Sequence, residues 1–212
     1  MSVSGPSTPP VNSDPRAQSR ARTQVWVLVA IFFGPLLAAF ILYYGMGSWR
    51  PHGSTNKGEL ITPVRPLPEV ELPAAADEPF STQDFHGKWT LVYVGDGQCD
   101  ERCREALVLT RQTRLALSKD MDRVQRLLLV SGNCCDRTYL QSEHPDLRTA
   151  SIDNQAGQEL LSQFPGGSDA SQQGRIYIVD PLGNLMMSYA PDAPRKGLLD
   201  DMKKLLKLSH IG

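Results

Sequence analysis

Three shortages bound what this chain can be. It has no surplus of either charge: 22 Lys and Arg stand against 23 Asp and Glu, for a formal charge of −1. No basic face is available to read a phosphate backbone, so nucleic acid is set aside as a partner. It has only four cysteines, too few for a disulfide scaffold, yet Cys99, Cys103, Cys134 and Cys135 fall in two close groups. It has one long run without charge, and that run changes how the rest is read.

The run is Val25 to Tyr44, "VWVLVAIFFGPLLAAFILYY", twenty residues with no charged side chain. As a helix it spans roughly 30 Å, the hydrocarbon thickness of a bilayer. Trp26 lies near one end, and Tyr43, Tyr44 and Trp49 near the other, where amphipathic rings favour the interface. Pro35 sits mid-span, which a membrane helix tolerates. A signal peptide would have a shorter apolar core closed by an A-x-A site, and none is present, so an uncleaved anchor is expected. Arg16, Arg20 and Arg22 precede the span with only Asp14 against them. The positive-inside rule then places the short N-terminus in the cytoplasm and the rest outside. In a bacterium that compartment is the periplasm, where thiols meet oxidising machinery.

Residues 1–22 are rich in Ser, Pro and Arg and have little to bury, so they read as a disordered cytoplasmic tail. The transmembrane helix takes 23–46. A Pro/Gly-rich stalk, extended and semi-rigid, is expected over 47–78. Residues 79–212 remain for a globular domain, long enough for a single core.

That domain alternates strands and helices. Strands are expected at Trp89–Val94, Val124–Val130, Leu147–Ile152, Arg175–Val179 and Leu185–Tyr189. Helices are expected at Asp100–Lys119, Gln155–Phe164 and Arg195–Leu208. The segment "VQRLLLV" is nearly all apolar, as in a strand covered on both faces. Asp180-Pro181-Leu182-Gly183-Asn184 reads as the turn of a hairpin. In the last helix Leu198, Leu199, Met202, Leu205 and Leu206 recur at helical spacing. The order is that of an α/β, thioredoxin-like mixed sheet flanked by helices.

In such a sheet the first helix starts at the carboxyl end of a central strand, where ligands bind. Cys99 and Cys103 fall there, one helical turn apart and with Cα atoms roughly 6 Å from each other, within reach of a disulfide. The partial positive charge of a helix N-terminus stabilises thiolate, which is both the nucleophile of disulfide exchange and a soft ligand for Cu(I). The plainer reading makes Cys103 a packing residue and Cys99 a bystander. Position after a strand and turn, in an extracytoplasmic domain, favours a functional pair. Cys134 and Cys135 follow the next strand and should emerge at the same sheet edge. A bridge to the first pair, a shared metal, or free thiols at a strand end all stay open.

A membrane anchor, a Pro-rich stalk, a strand followed by CxxxC, and later "YIVDPLGN" together resemble the Sco/SenC family of cytochrome c oxidase assembly proteins. The resemblance implies a thioredoxin-like domain that handles copper for the CuA centre. It implies Cys99 and Cys103 as the thiolate ligands of Cu(I), although Arg104 stands where the family has proline. Asp180 and Pro181 match the family's later motif. The family's histidine ligand lies eight residues before that aspartate, where this chain has Gln172. His52, His86, His144 and His210 do not occupy that position; His144, in a loop, is expected to be a solvated surface residue. Met186 and Met187 could offer a thioether, but core packing suits consecutive strand residues better. Thiol oxidoreductases of this fold keep a cis-proline before the strand that here begins "GRIYIV", and Pro165 is too far upstream to supply it.

Two thiolates without an imidazole hold Cu(I) more weakly and with less geometric control, while thiol redox chemistry stays open. The expected function is a membrane-anchored, Sco-like factor for cytochrome c oxidase assembly, in a bacterial inner membrane with its domain in the periplasm. The Cys99/Cys103 dithiol would act on copper delivery or on client thiols, the partners being an oxidase subunit or other copper and thiol assembly factors. The alternatives are a thioredoxin-type thiol–disulfide oxidoreductase, with Cys99 attacking from an exposed turn and Cys103 resolving, and a non-catalytic partner-binding module. Whether the chain is an enzyme is left open between them.

Overall fold

A computed structural model describes residues 15–45, 55–75, 78–134, 136–209 and 211. They divide into two units, one within residues 1–54 and one spanning 55–212. The first is a single helix, α1 (Pro15–Gly45), with Pro35 inside it. Its stretch Arg22–Leu42 has mean hydropathy 2.7 and is long and apolar enough to cross a membrane. The helix begins seven residues before Arg22, so part of the stretch read as a disordered tail is helical. No Gly or Pro interrupts the chain between Arg16 and the apolar run, and a helix already nucleated propagates cheaply in either direction.

The second unit is built on a six-stranded sheet, in the order β1 (Glu59–Pro66), β8 (Asn184–Tyr189), β7 (Ile176–Val179), β4 (Trp89–Asp96), β5 (Val124–Ser131), β6 (Leu147–Ser151). Strands β4, β5 and β6 run parallel, while β7, β8 and β1 join antiparallel. A short pair, β2 (Glu71–Leu72) and β3 (Phe80–Ser81), lies outside this sheet. The helices are α2 (Glu101–Ala116), α3 (Arg137–Glu143), α4 (Gln155–Leu161) and α5 (Arg195–Leu208). This is the expected α/β arrangement, a mixed sheet covered by helices.

Alternation along β4 divides the core between the two faces of the sheet. Leu91 and Tyr93 point to the side where Ala106 and Leu107 of α2 and Leu198, Met202 and Leu206 of α5 pack. Val92 and Val94 point to the other side, with Phe80, Phe85, Leu160, Leu161 and Phe164. Full burial of each leucine, valine, methionine or phenylalanine among them contributes about 1.5–3 kcal/mol of transfer free energy. The β7–β8 hairpin closes as its sequence suggests: Asp180 Oδ1 accepts from the backbone N–H groups of Leu182 and Asn184 at 2.9 and 2.8 Å. Gly183 takes φ +83° there, a conformation any larger residue would strain to reach.

One expectation is corrected by the sheet. The segment read as a stalk contains β1, which pairs with β8 and forms the sheet edge. The reason is positional. Prolines cannot sit in a central strand, but at an edge one side needs no donors, and Pro63 and Pro66 are accommodated. The start of this strand is held to α5 by Asp201, whose Oδ2 accepts from the N–H groups of Lys57 and Gly58 at 2.6 and 2.9 Å and from the Tyr189 hydroxyl at 2.8 Å.

Candidate functional site

Strand β4 ends at Asp96, and the turn that follows delivers Cys99 and then α2. Gly97 is required there because a Cβ would collide with the backbone of Asn133 and Cys134, in the loop after β5. The turn closes on a carboxylate: Asp96 Oδ1 accepts from the N–H of Cys99 at 3.1 Å. Cys99 itself adopts φ +45°, in the left-handed region that side chains other than glycine rarely visit. Asp100 is the N-cap of α2, its Oδ1 accepting from the N–H of Cys103 at 2.9 Å. That bond, with help from Arg102, holds the Asp100 carboxyl below its ordinary range.

Cys99 and Cys103 are joined as a disulfide, with Cα atoms 5.0 Å apart. The exposure expected for Cys99 is absent. It is 8% accessible and Cys103 2%, since both pack into the core between α2 and the sheet. A cleft of about 320 Å³ opens beside the pair and is lined by Cys103, Tyr93, Asp96, Asp100, Arg102 and Gln172. Of the two cysteines, Cys103 is the one that lines this cleft. The Tyr93 phenol is pushed up to about 12, by burial first and then by the negative charge of Asp100; Arg102 opposes the rise and Asp96 adds to it.

Gln172 lines the same cleft as Cys103, so the residue standing at the resemblance's histidine position is near the dithiol in space. Reduced, the pair would present two soft sulfurs, with Gln172 offering a hard amide oxygen in place of an imidazole. That donor set suits Cu(I) on the sulfurs alone and gives Cu(II) little. Among the described residues no group of three His, Cys, Asp or Glu side chains is placed to hold a metal. Met187 is buried in the core and Met186 packs against it, as expected. A cis peptide occurs at Thr62–Pro63 in β1, away from the residues that precede β7.

His144 corrects a second expectation. It is 2% exposed, not solvated, and belongs to a cluster around Arg126. The Arg126 guanidinium, fully buried on β5, donates to Thr110 Oγ1 (3.2 Å), Asp146 Oδ1 (3.0 Å), the Leu107 carbonyl (2.8 Å) and His144 Nδ1 (3.3 Å). Because arginine only donates, Nδ1 accepts, and Nε2–H is left to donate to the Tyr139 hydroxyl at 3.1 Å. The sequence signal was the lone arginine inside "VQRLLLV", a buried charge that had to find partners nearby. Cys134 is not a free thiol either: it is disulfide-bonded and packs against the core beside α2. Cys135, His52 and His210 lie outside the described residues. Sequence reasoning also missed Asp96, Asp100 and Tyr93 as site residues. Asp100 was legible, since an aspartate directly before a helical run is a capping signature.

Residues 89–209 match the model of the family described as transmembrane-like, thioredoxin-like, C-terminal domain. That is more than half of the chain, and the protein belongs to this family. Among solved structures, apo Sco1 from Thermus thermophilus is similar at 19% identity and TM-score 0.57, over 73% of this chain and 99% of that one. Copper-bound yeast Sco1 is similar at 17% identity and TM-score 0.57, over 68% and 93%. BsSco, described as a member of the Sco family of cytochrome c oxidase assembly proteins with a disulfide switch, is similar at 14% identity and TM-score 0.54, over 71% and 99%. No curated protein matches the sequence. The chain has a thioredoxin-like fold with an N-terminal apolar helix, and family and helix together suggest a single-pass membrane anchor.

Proposed function

We propose that this protein is a membrane-anchored factor for cytochrome c oxidase assembly that acts through reversible closure of the Cys99–Cys103 disulfide on the thiols of an oxidase subunit or another assembly factor. The observation that carries the reading is the pair itself, bridged at the start of α2 and bordering a cleft that also holds Gln172. Thiol–disulfide exchange needs two sulfurs within bonding reach and access to one of them, and nothing else. Copper delivery needs a third ligand to control geometry, and a glutamine amide is a poor one. Exchange with client thiols is therefore preferred over copper transfer. The domain would face the periplasm of a bacterial inner membrane, with 1–22 on the cytoplasmic side and the chain between the apolar helix and β1 joining the anchor to the domain.

The test uses the full-length protein in its membrane. A strain lacking it is complemented with wild type or with Cys99→Ser/Cys103→Ser, and oxidase activity and CuA content are read at matched protein levels. The double variant is expected to leave assembly as defective as the deletion. Full complementation by that variant would overturn the dithiol role and leave a partner-binding module. A second reading, Cu(I) carriage, is supported by the two sulfurs, which the sequence resemblance implies as copper ligands, and by the likeness in fold to copper-bound yeast Sco1. Anaerobic Cu(I) titration of the detergent-solubilised protein tests it: equal, weak binding by wild type and double variant would sink it. Tighter binding by Gln172→His would identify Gln172 as the missing ligand position.

A further inference from the structure

Two carboxylates occupy the places where a thiol site ordinarily finds its stabilising donors. The N–H of Cys103 and the N–H of Cys99 point at Asp100 Oδ1 and Asp96 Oδ1, at 2.9 and 3.1 Å. In an open helix N-terminus such groups are free to solvate a thiolate. Here both are engaged, and each is engaged by a negative charge that borders the same cleft as Cys103. The compensating cation is weak. Arg102 Nε lies 3.3 Å from Asp100 Oδ2, but both side chains are more than half exposed, where water screens the pair. Ser171 and Gln172, which also line the cleft, carry no charge.

We propose that Asp96 and Asp100 are positioning residues that bias the Cys99–Cys103 pair towards its disulfide, making the reduced domain an electron donor to client disulfides rather than an oxidant of client thiols. The proposal rests on the dithiol reading above and adds a direction to it. A pair becomes a stronger oxidant as its reduced form is stabilised. Fixed carboxylates beside the sulfurs do the reverse wherever the reduced pair carries a thiolate, because the thiolate is repelled and the uncharged disulfide is not. The exchange balances as follows. A thiolate of the reduced pair attacks one sulfur of a client disulfide; a mixed disulfide forms and the other client sulfur leaves as thiolate, to be protonated from water. The second cysteine, losing its proton to water, attacks its partner's sulfur in that mixed disulfide. The Cys99–Cys103 bond closes and the second client thiolate departs. Two electrons pass to the client, and a dithiol reductant returns them to the domain.

The experiment equilibrates the full-length protein in detergent against glutathione redox buffers at about pH 9, where the reduced pair carries thiolate, and counts free thiols by alkylation and mass. Asp96→Asn, Asp100→Asn, the double variant and Arg102→Gln are compared with wild type. Asparagine keeps the side-chain oxygen that accepts each N–H and removes only the charge, so the folds are expected to survive. The double variant should shift the equilibrium roughly tenfold towards the dithiol, which is about 30 mV for a two-electron couple. Arg102→Gln should move it the opposite way, towards the disulfide, by a smaller factor. The opposite signs separate charge from any general loosening of the turn. Should the double variant misfold, the single variants carry the test, each at about a threefold shift, half of the same tenfold in free energy. A reversible couple that ignores both carboxylates overturns this assignment alone. A wild-type pair that cannot be interconverted overturns the dithiol reading together with it.

Discussion

Helix α2 touches two polar clusters, and they are built in opposite ways. Around Arg126 charge is buried and answered atom by atom: each of the three guanidinium nitrogens finds an acceptor on α2 or in the segment before β6. Asp146 supplies the counter-charge and also sits 3.6 Å from Arg114. Around Cys103, one turn from the helix start, the carboxylates of Asp96 and Asp100 gather at a cleft with only an exposed arginine against them. The first arrangement is what a fold needs in order to keep an ion out of water. The second caps a helix but leaves more negative than positive charge beside the Cys103 cleft, a field that can act on chemistry. Position along one helix thus separates a cluster that holds the domain together from one that tunes its site.

The largest effect should come from breaking the buried cluster. Arg126→Ala strands the Asp146 carboxylate and the Thr110 hydroxyl and is expected to cost about 3–5 kcal/mol, read as a lower urea midpoint. The Cys99–Cys103 potential of whatever remains folded should stay at the wild-type value. A matching shift in potential would erase the distinction between the clusters.

Acid should find the same cluster through His144. Burial, then the positive charges of Arg126 and Arg111, lower this imidazole to about 4 from 6.5, against the smaller pull of Asp146 and Glu143. Between those values the unfolded chain binds a proton that the folded one refuses. Stability is therefore full above about pH 6.5 and falls as pH drops towards 4, by on the order of 2 to 3 kcal/mol. Denaturant melts across that window should show the slope in wild type and lose it in His144→Gln. An unchanged slope in the variant would place the acid sensitivity elsewhere.

How far the sequence reaches follows the same division. The central strands and the last helix were legible because their side chains face one decision, core or solvent. "VQRLLLV" and the leucine spacing of α5 answer it without reference to distant partners. Strand β1 was not legible, since only Ile61 of its residues turns into the core and its partner β8 lies more than a hundred residues away. The short α3 was hidden in polar sequence, with Leu140 as its one buried residue. At the site, the spacing of the cysteines and the strand–turn–helix context predicted the pair and its place. The exposure of Cys99 could not be read, because it depends on how α2 lies against the sheet. His144 failed for a related reason: "EHPD" looks solvated until Arg126 is known to be beneath it.

The smallest effect is the most discriminating, and it concerns Asp100. As N-cap it satisfies the N–H of Cys103, so Asp100→Ala should cost about 1 kcal/mol in stability, while Asp100→Asn should cost no more than a few tenths. Electrostatics ranks the same two variants differently. Both delete the negative charge, so both should move the dithiol equilibrium in the same direction and by similar amounts, although Ala also frees an N–H that can solvate a thiolate and should move it slightly further. Stability and potential are therefore uncoupled in Asn and coupled in Ala. Thermal melts of the oxidised protein, set beside its glutathione equilibrium, separate the two roles. If Asn left the potential at wild type while Ala moved it, Asp100 would act on the sulfurs only by holding the helix start. The contrast with the Arg126 cluster would then be one of burial alone.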